Sequence, residues 1–323
     1  AGFLVAADQY LRGQHDDYFD LTAAQAEFQK KRAFIGIELV PNTRRLALMN
    51  CLLHGMEGEE EGVVLLGNAL GEEGKSLKAA DIILANPPFG TSKGGDASNT
   101  RDDLTYKTSN KQLAFLQHIY RNLKPGGRAA VVLPDNVLFE AGVGTDVRRD
   151  LMHKCNLHTI LRLPTGIFYA QGVKTNVLFF TKGTPQKPGQ DENCTQNVWV
   201  YDLRTNMPSF GKRTPFTEGH LQPFETVYGD NPNGTSERTE GEYSFNEADS
   251  PQDLDNSRWR VFSREWIAEN KGDSLDISWL KDKDSIDAAD LPEPDELALE
   301  AKAELEGALM ELDELLAELG VTE

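Results

Sequence analysis

The stretch IILANPPFGT, residues 82–91, joins a short apolar run to an asparagine, two prolines and an aromatic residue. Four consecutive apolar residues, 82–85, are typical of a central parallel strand that is covered on both faces. Pro87 and Pro88 lack a backbone N–H and fix φ at about −65°, and a proline also restricts the residue before it. Asn86 is therefore held in a rigid, extended turn. Because ligands of open α/β sheets bind at the carboxyl ends of the strands, the stretch predicts an α/β fold with a site directly after this strand.

The elements on either side of this strand alternate between strands and helices. We expect strands at residues 33–39, 63–66, 82–85, 128–134, 157–163, 176–181 and 197–203, and helices at residues 3–11, 42–54 and 110–123. This order predicts a doubly wound, mostly parallel sheet with helices on both faces. Residues 183–257 are rich in Pro, Gly, Asn, Thr and Glu, which favours long loops and a small irregular subdomain.

The composition indicates a soluble protein with one large domain and appendages. The chain has 323 residues, of which 39% are hydrophobic. Cys51, Cys155 and Cys194 have neither disulfide nor metal-ligand spacing, so we expect reduced thiols, a cytoplasmic location and no metal site. Apolar runs reach only about six residues, whereas a bilayer span needs roughly 20, so we expect no membrane partner.

The residues that follow the strand suit chemistry on a planar amino group. The side-chain oxygen of Asn86 and the carbonyl of Pro87 present two acceptors for the two N–H bonds of such a group. These bonds favour a tetrahedral nitrogen with a free lone pair and stabilise the positive charge that develops as it attacks an electrophilic carbon. Phe89 offers a face on which a heterocycle stacks, worth about 1–3 kcal/mol per base. We take Asn86, Pro87, Pro88 and Phe89 as catalytic candidates; the alternative is that ANPPFG is only a rigid strand exit.

These residues resemble the catalytic motif of S-adenosylmethionine-dependent amino-methyltransferases. The stretches that also carry a family resemblance are GFL (2–4), IGIEL (35–39), GNAL (67–70), KTSNKQLAFLQHIYRNLKPGGRAAVVLPDNVLF (107–139) and LRLPTGIFYAQGVKTNVLFFTKG (161–183). With them, residues 1–265 resemble the methylation subunit of type I restriction-modification systems, which methylates adenine at N6 in duplex DNA. The resemblance implies the S-adenosylmethionine-dependent methyltransferase fold at 1–265, followed by an acidic C-terminal extension at 266–323.

The resemblance also implies which residues bind S-adenosylmethionine. Gly2 and Phe3 match the tail of the glycine-rich cofactor loop, and Glu38 matches the acid that accepts hydrogen bonds from the two ribose hydroxyls. Asn68 and Ala69 match the turn beside the cofactor's adenine. Many relatives carry Asp at the position of Asn68, but an amide oxygen also accepts hydrogen bonds. The stretch that matches the wall of the target-base pocket contains Thr165, Phe168, Tyr169 and Lys174.

The start of the chain departs from the family pattern. The family's cofactor loop opens with an Asp-Pro-x-x-Gly segment on the first strand, and a helical domain precedes it; neither is found in this sequence, which begins AGFLVAA. A sheet without that strand exposes the neighbouring strand edges and loses half of the cofactor cradle. We therefore expect the fragment to bind S-adenosylmethionine poorly, and the function is assigned to the parent protein.

The charge is unevenly distributed along the chain. The formal net charge is −19, yet residues 271–323 hold 17 acidic and 4 basic residues, whereas residues 101–190 hold 13 basic and 6 acidic ones. Fields act locally, within a Debye length of about 8–10 Å, so the basic stretch either meets duplex DNA or forms ordinary solvated faces. The sequence has no groove-reading motif, so sequence selection belongs to another chain. The resemblance implies a specificity subunit and a restriction subunit as partners.

Leucines 305, 309, 312, 316 and 319 predict a short amphipathic helix near the end of the chain. Its apolar stripe packs either on its own domain or against a second subunit.

Two other functions remain open. The same Asn-Pro-Pro-aromatic chemistry serves enzymes that methylate a glutamine amide in protein or an exocyclic amine in RNA. The second alternative is a non-catalytic assembly module with a vestigial cofactor site.

Overall fold

The computed structural model describes residues 1–89, 101–168, 173–241, 254–281 and 302. The chain divides into two units, Ala1–Leu280 and Lys281–Glu323. In the second unit only Lys281 and Lys302 are described, so the amphipathic helix predicted between residues 305 and 319 lies outside the described residues. The division into a catalytic domain at 1–265 and an extension at 266–323 stays a prediction.

The first unit begins with three helices and a two-stranded parallel sheet. The helices are α1 (Gly2–Gln14), α2 (Ala23–Lys31) and α3 (Pro41–Leu53), and the strands are β1 (Gly36–Glu38) and β2 (Val64–Leu66). A small core that includes Cys51, Met56 and Val64 joins α1, α3 and β2. Helix α3 starts with Pro41, which is favourable there because the N–H at the first helical position has no intrahelical partner.

A six-stranded mixed sheet forms the centre of this unit. Its strands are β3 (Ala80–Ala85), β4 (Leu123–Pro134), β5 (Cys155–Arg162), β6 (Thr175–Lys182), β7 (Asn197–Asp202) and β8 (Trp259–Ser263). They lie in the order β3-β4-β6-β5-β7-β8, with β3–β4 and β5–β7 parallel and the other three pairs antiparallel. Strand β6 returns from β5 through residues 163–174, whose described part contains no helix. Parallel neighbours are usually joined by a helical crossover, and the described part of this connection contains none.

Helices cover both faces of the six-stranded sheet. They are α4 (Glu72–Ser76), α5 (Lys111–Asn122), α6 (Asp135–Phe139), α7 (Val143–Lys154), α8 (Gln222–Tyr228) and α9 (Arg264–Lys271). One face packs against α5, α7 and α9 through Leu116, Leu151 and Ile267. The other packs against α8 through Phe224 and Val227. The expected α/β class with helices on both faces is confirmed, and the sheet is mixed rather than mostly parallel.

The seven strands expected from the sequence are all present. The largest difference is at β4, which starts at Leu123 rather than at residue 128 because Leu123 pairs with Ala80 of β3. Helix α5 ends at Asn122, as its stop signal predicts. The sequence pattern did not reveal β8 or helices α2, α4, α6, α7, α8 and α9. Among the described residues, no helix combines the length and hydrophobicity needed to cross a membrane.

Candidate active site

The predicted ligand edge begins where β3 ends, at Ala85. The next residue, Asn86, has an exposed side chain that makes no hydrogen bond to any described residue, and Pro87 beside it is buried. No described residue donates a backbone hydrogen bond to the Pro87 carbonyl. Neither the side-chain oxygen of Asn86 nor the carbonyl of Pro87 therefore has a hydrogen-bond donor among the described residues.

A buried glutamine holds the next carbonyl of this motif. Gln112, in the first turn of α5, is 2% exposed, and its Nε2 donates to the carbonyl oxygen of Pro88 at 3.3 Å. The turn is itself fixed, because the side chain of Asn110 caps α5 by accepting from the N–H groups of Gln112 and Leu113. The proline turn is thereby attached to a helix as well as to a strand.

An aromatic pair lies beside the motif. Phe89 and Phe168 contact edge to face, with ring centroids 6.3 Å apart and planes at 78°. We call these two residues the aromatic wall. Edge-to-face packing leaves ring surface available for a further planar group. The contact brings together the proline turn after β3 and the loop after β5, which are about 80 residues apart in the sequence.

The loop that carries Phe168, residues 163–168, is the wall loop. The N–H of Leu163 donates to the carbonyl of Thr175 at 3.0 Å, and the N–H of Phe210 donates to the carbonyl of Thr165 at 3.0 Å. Gly166 has φ +81°, and a Cβ built there would lie 2.0 Å from the carbonyl oxygen of Phe210, so this position requires glycine. Lys174 is exposed just before β6, and Tyr169 lies outside the described residues.

Glu38, the predicted ribose-binding acid, is the last residue of β1. One carboxylate oxygen, Oε1, accepts from the N–H of Val40 at 2.9 Å, next to the start of α3. The other oxygen, Oε2, has no partner among the described residues. The side chain is thus fixed at one oxygen and can accept at the other.

Asn68 and Ala69 form the turn after β2. The side-chain oxygen of Asn68 accepts from the N–H of Leu70 at 2.9 Å, which is the usual way in which asparagine stabilises a turn. A Cβ built on Gly74 would lie 1.9 Å from the carbonyl oxygen of Ala69, so the turn lies directly against α4. The N–H of Gly67 donates to the carbonyl of Glu38 at 3.1 Å, which places this turn at the same edge of the sheet as Glu38.

Gly2 and Phe3 open α1, and both are exposed. No atom lies within 4 Å of a Cβ built on Gly2, so the described structure shows no steric need for glycine there. A Cβ built on Gly36 of β1 would lie 3.4 Å from Leu4, which places the first turn of α1 beside β1. The predicted cofactor residues therefore cluster around β1 and β2.

The catalytic and cofactor candidates lie on different sheets. Among the described residues, β1 pairs with β2 alone and β3 with β4 alone, so β3 lies at the edge of the described six-stranded sheet. Ile82 and Leu84 of β3 are 49% and 41% exposed, which is unusual for apolar side chains of an α/β sheet.

Several basic residues of the stretch 101–190 are buried and stabilise the fold. Arg101, Arg148 and Arg162 are each at most 8% exposed, so they do not contribute to a surface for DNA. A cleft of about 520 Å³ lies at the amino ends of β4 and β5, on the opposite edge from Asn86. Its cations have acceptors within the fold, as Lys154 binds Asp150, and Lys182 binds the carbonyls at the end of α5. Within the described residues, no group of three or more His, Cys, Asp or Glu side chains could hold a metal ion.

Comparison with known proteins identifies the family of the chain. Residues 1–257 match the family model of the N-6 DNA methylases. The chain is 65% identical to the methylase subunit of the type I restriction enzyme StySPI of Salmonella potsdam, over 99% of this chain and 62% of that protein. It is 64% identical to the EcoKI methylase subunit of Escherichia coli K12, over 100% of this chain and 63% of that protein.

Solved structures give the same result. The crystal structure of the EcoKI M protein matches with a TM-score of 0.84 and 62% identity, over 100% of this chain and 67% of that chain. A type I restriction-modification assembly matches at a TM-score of 0.61 and 27% identity, over 98% of this chain and 60% of that one. The chain thus spans a little under two thirds of the curated relatives described above, and it belongs to the N-6 DNA methylase family.

Proposed function

We propose that the whole protein transfers a methyl group from S-adenosylmethionine to N6 of adenine in duplex DNA, as the methylation subunit of a type I restriction-modification system. The observation that carries this proposal is the pair of uncommitted acceptors, Asn86 Oδ1 and the Pro87 carbonyl, on a rigid turn beside an aromatic wall. The relatives named above are methylase subunits of such systems, which supports the same assignment.

The two acceptors bind the two N–H groups of the adenine amine. That geometry frees the nitrogen lone pair, and both oxygens stabilise the positive charge that develops on nitrogen during the transfer. Phe89 stacks on the base. Since N6 is paired and stacked inside a duplex, the adenine is first rotated out of the helix. The proline turn does not reorganise during these steps, because Gln112 and β3 hold it from two sides.

The residues on the cofactor side fit S-adenosylmethionine, which supplies an electrophilic methyl group on a sulfonium. Glu38 keeps one carboxylate oxygen available for the ribose hydroxyls while Val40 fixes the other. The turn at Asn68 and Ala69 lies at the same edge for the adenine portion. Gly2 and Phe3 open the helix beside them. We assign all five residues to the cofactor on this basis.

Partners are part of the proposal. A chain with a formal net charge of −19 needs help to hold duplex DNA, since phosphate contacts depend on Lys and Arg. We assign target selection to a separate specificity subunit, and cleavage to a restriction subunit. The cytoplasmic location inferred from the free cysteines belongs to the same proposal.

The test is Asn86→Ala in the full-length protein assembled with its partner subunits. Transfer of tritiated methyl is measured to duplex DNA, RNA and protein. We expect DNA methylation to fall by about 10²–10³-fold or more, as for the loss of one group that stabilises a transition-state charge. Asn50→Ala is the matched control, because Asn50 is exposed on α3.

The substrate arms separate the alternatives. Methylation of RNA or protein in place of DNA would move the assignment to an RNA or glutamine-amide enzyme. No transfer to any substrate, together with no calorimetric binding of S-adenosylmethionine, would indicate an assembly module. Normal DNA methylation by the Asn86→Ala protein would remove Asn86 from the mechanism.

A further inference from the structure

A single arginine joins the chain segments behind the aromatic wall. Arg204 follows β7, and its side chain is 8% exposed. The guanidinium donates to both carboxylate oxygens of Asp135, at 2.8 and 2.9 Å, to the carbonyl of Leu163 at 3.0 Å and to the carbonyl of Thr175 at 2.8 Å. A weaker contact reaches the side-chain oxygen of Asn176 at 3.3 Å. The planar fork of arginine is suited to several acceptors held in fixed directions.

The acceptors of Arg204 lie at the ends of three neighbouring strands. Asp135 directly follows β4, Leu163 directly follows β5, and Thr175 begins β6. All three positions lie at the same edge of the sheet, because β6 runs antiparallel to its neighbours. Arg204 therefore fixes the relative positions of the ends of β4, β5 and β6.

Arg204 is itself held in place from behind. The carboxylate of Asp202 accepts from the backbone N–H groups of Arg204 and Thr205, each at 2.8 Å. Its second oxygen accepts from Arg162 at 2.9 Å. Asp135 is equally constrained: burial would raise its pKa, but the hydrogen bonds and charge of Arg204 outweigh burial and keep the pKa below its ordinary value. The pair is thus a preorganised ion pair and not a mobile surface contact.

Arg204 is connected to the aromatic wall through the wall loop. Leu163, whose carbonyl Arg204 binds, is the first residue of the wall loop, and Phe168, which contacts Phe89, is its last described residue. The loop has little freedom between them, because the carbonyl of Thr165 is bonded to Phe210 and Gly166 lies against the same backbone. A shift at Leu163 is therefore passed on to Phe168.

We propose that Arg204 is a positioning residue for the target base, acting by fixing the wall loop so that Phe168 remains against Phe89. This inference rests on the proposed function, because it gives the aromatic wall the task of holding a rotated adenine. In this role Arg204 acts through the wall loop and does not itself contact the base or the cofactor. Its effect is on the geometry in which Asn86 meets the adenine amine.

The test is Arg204→Lys in the full-length protein with its partner subunits. Lysine keeps the charge and can bind Asp135, but one ammonium cannot also hold the carbonyls of Leu163 and Thr175 in the same directions. We expect kcat for DNA methylation to fall by about 10- to 100-fold, since a displacement of about 1 Å from the reactive geometry costs that much. KM for S-adenosylmethionine should stay unchanged, because Glu38 and Asn68 lie on the other sheet.

Arg238→Lys is the matched control. Arg238 is another largely buried arginine with several hydrogen bonds, to the carbonyl of Tyr228 and the hydroxyl of Thr159, and it binds no residue of the wall loop. Both variants are assayed well below their melting temperatures. Fluorescence of 2-aminopurine at the target position should change in Arg204→Lys and remain at the wild-type level in Arg238→Lys.

The outcomes separate this inference from the proposed function. If the wild type methylates DNA and Asn86→Ala does not, while Arg204→Lys keeps wild-type kcat, the positioning role is wrong and the proposed function stands. Equal losses of kcat in Arg204→Lys and Arg238→Lys would show a general effect of stability and also overturn the inference. If the wild type transfers no methyl group to DNA, the proposed function fails first.

Discussion

The hydrogen bond from Gln112 to Pro88 gives a sharp prediction about catalysis. Gln112→Met keeps most of the side-chain volume but removes the donor that holds the proline turn. The bond is between neutral groups and is long, at 3.3 Å, so its net contribution is at the modest end of the range, about 0.5–1.5 kcal/mol. Pro88 is exposed, so water can satisfy its carbonyl in the variant, and the loss of stability should be about 1 kcal/mol.

The same loss of about 1 kcal/mol should also appear in the rate. Once the tether is lost, Asn86 and the Pro87 carbonyl remain attached to β3 alone. If the tether contributes about 1 kcal/mol to holding the reactive geometry, kcat falls about fivefold, and about tenfold at 1.4 kcal/mol. KM for S-adenosylmethionine should not change. Steady-state methylation of DNA by the full-length protein measures both constants, and denaturant unfolding measures the stability.

Gln117→Met on the same helix is the control. Gln117 is fully buried, and its amide binds both the N–H and the carbonyl of Tyr106 at 2.9 Å. Losing two such bonds costs roughly 2–5 kcal/mol, yet none of them touches the proline turn. We therefore expect the larger loss of stability in Gln117→Met and the larger loss of kcat in Gln112→Met. The opposite order, or wild-type kcat in Gln112→Met, would refute the reasoning.

Two further predictions concern the cofactor and pH. Glu38→Ala in the full-length protein should raise the Kd for S-adenosylmethionine about 10- to 100-fold in calorimetry, because hydrogen bonds to a charged group contribute about 1.5–3 kcal/mol; unchanged affinity would remove Glu38 from the cofactor site. Stability should fall on acidification, because burial, aided by nearby arginines, lowers the pKa of His118 to about 4 and that of His158 to about 3. Between about pH 6.5 and pH 4 the unfolded histidines bind protons that the folded ones do not, so the unfolding free energy decreases by a few kcal/mol. Urea midpoints at pH 7.5, 5.5 and 4.5 check this, and a midpoint that stays constant down to pH 4.5 would contradict it.

The strands were predictable because they are short apolar runs bounded by Gly and Pro. Helix α7 was missed for a physical reason. Its buried face includes Arg148, which is 1% exposed and binds the backbone carbonyls of Val137, Glu140 and Asp273. In the sequence this arginine looks like a solvent-facing residue and interrupts the apolar period. The antiparallel direction of β6 was missed because strand direction depends on long-range pairing, which residue types alone do not specify.

The candidate site was predictable only where its residues are neighbours in the sequence. Asn86, Pro87 and Phe89 are neighbours in the chain, so their side chains form a readable motif. Gln112 and Arg204 were not predicted because each binds a distant backbone carbonyl near the site. Gln112 binds that of Pro88, 24 residues away, and Arg204 binds that of Leu163, 41 residues away. Every residue type offers a carbonyl, so such contacts leave no compositional trace. The residues proposed to contact the substrate form a motif in the sequence, whereas Gln112 and Arg204, proposed to position them, were found only from the coordinates.

We expect changes at the proposed catalytic residues and at the proposed cofactor residues to act independently, because the two sets lie on different sheets. The proposed methyl-acceptor side rests on a six-stranded sheet with helices on both faces. The cofactor side rests on two three-residue strands, and two-stranded sheets are marginal without packing against helices. That packing is partial, since α3 leaves Leu46, Met49 and Leu53 more than half exposed. Changes at Gln112 or Arg204 should therefore alter kcat with cofactor affinity intact, and changes around β1 should alter cofactor affinity with the aromatic wall intact.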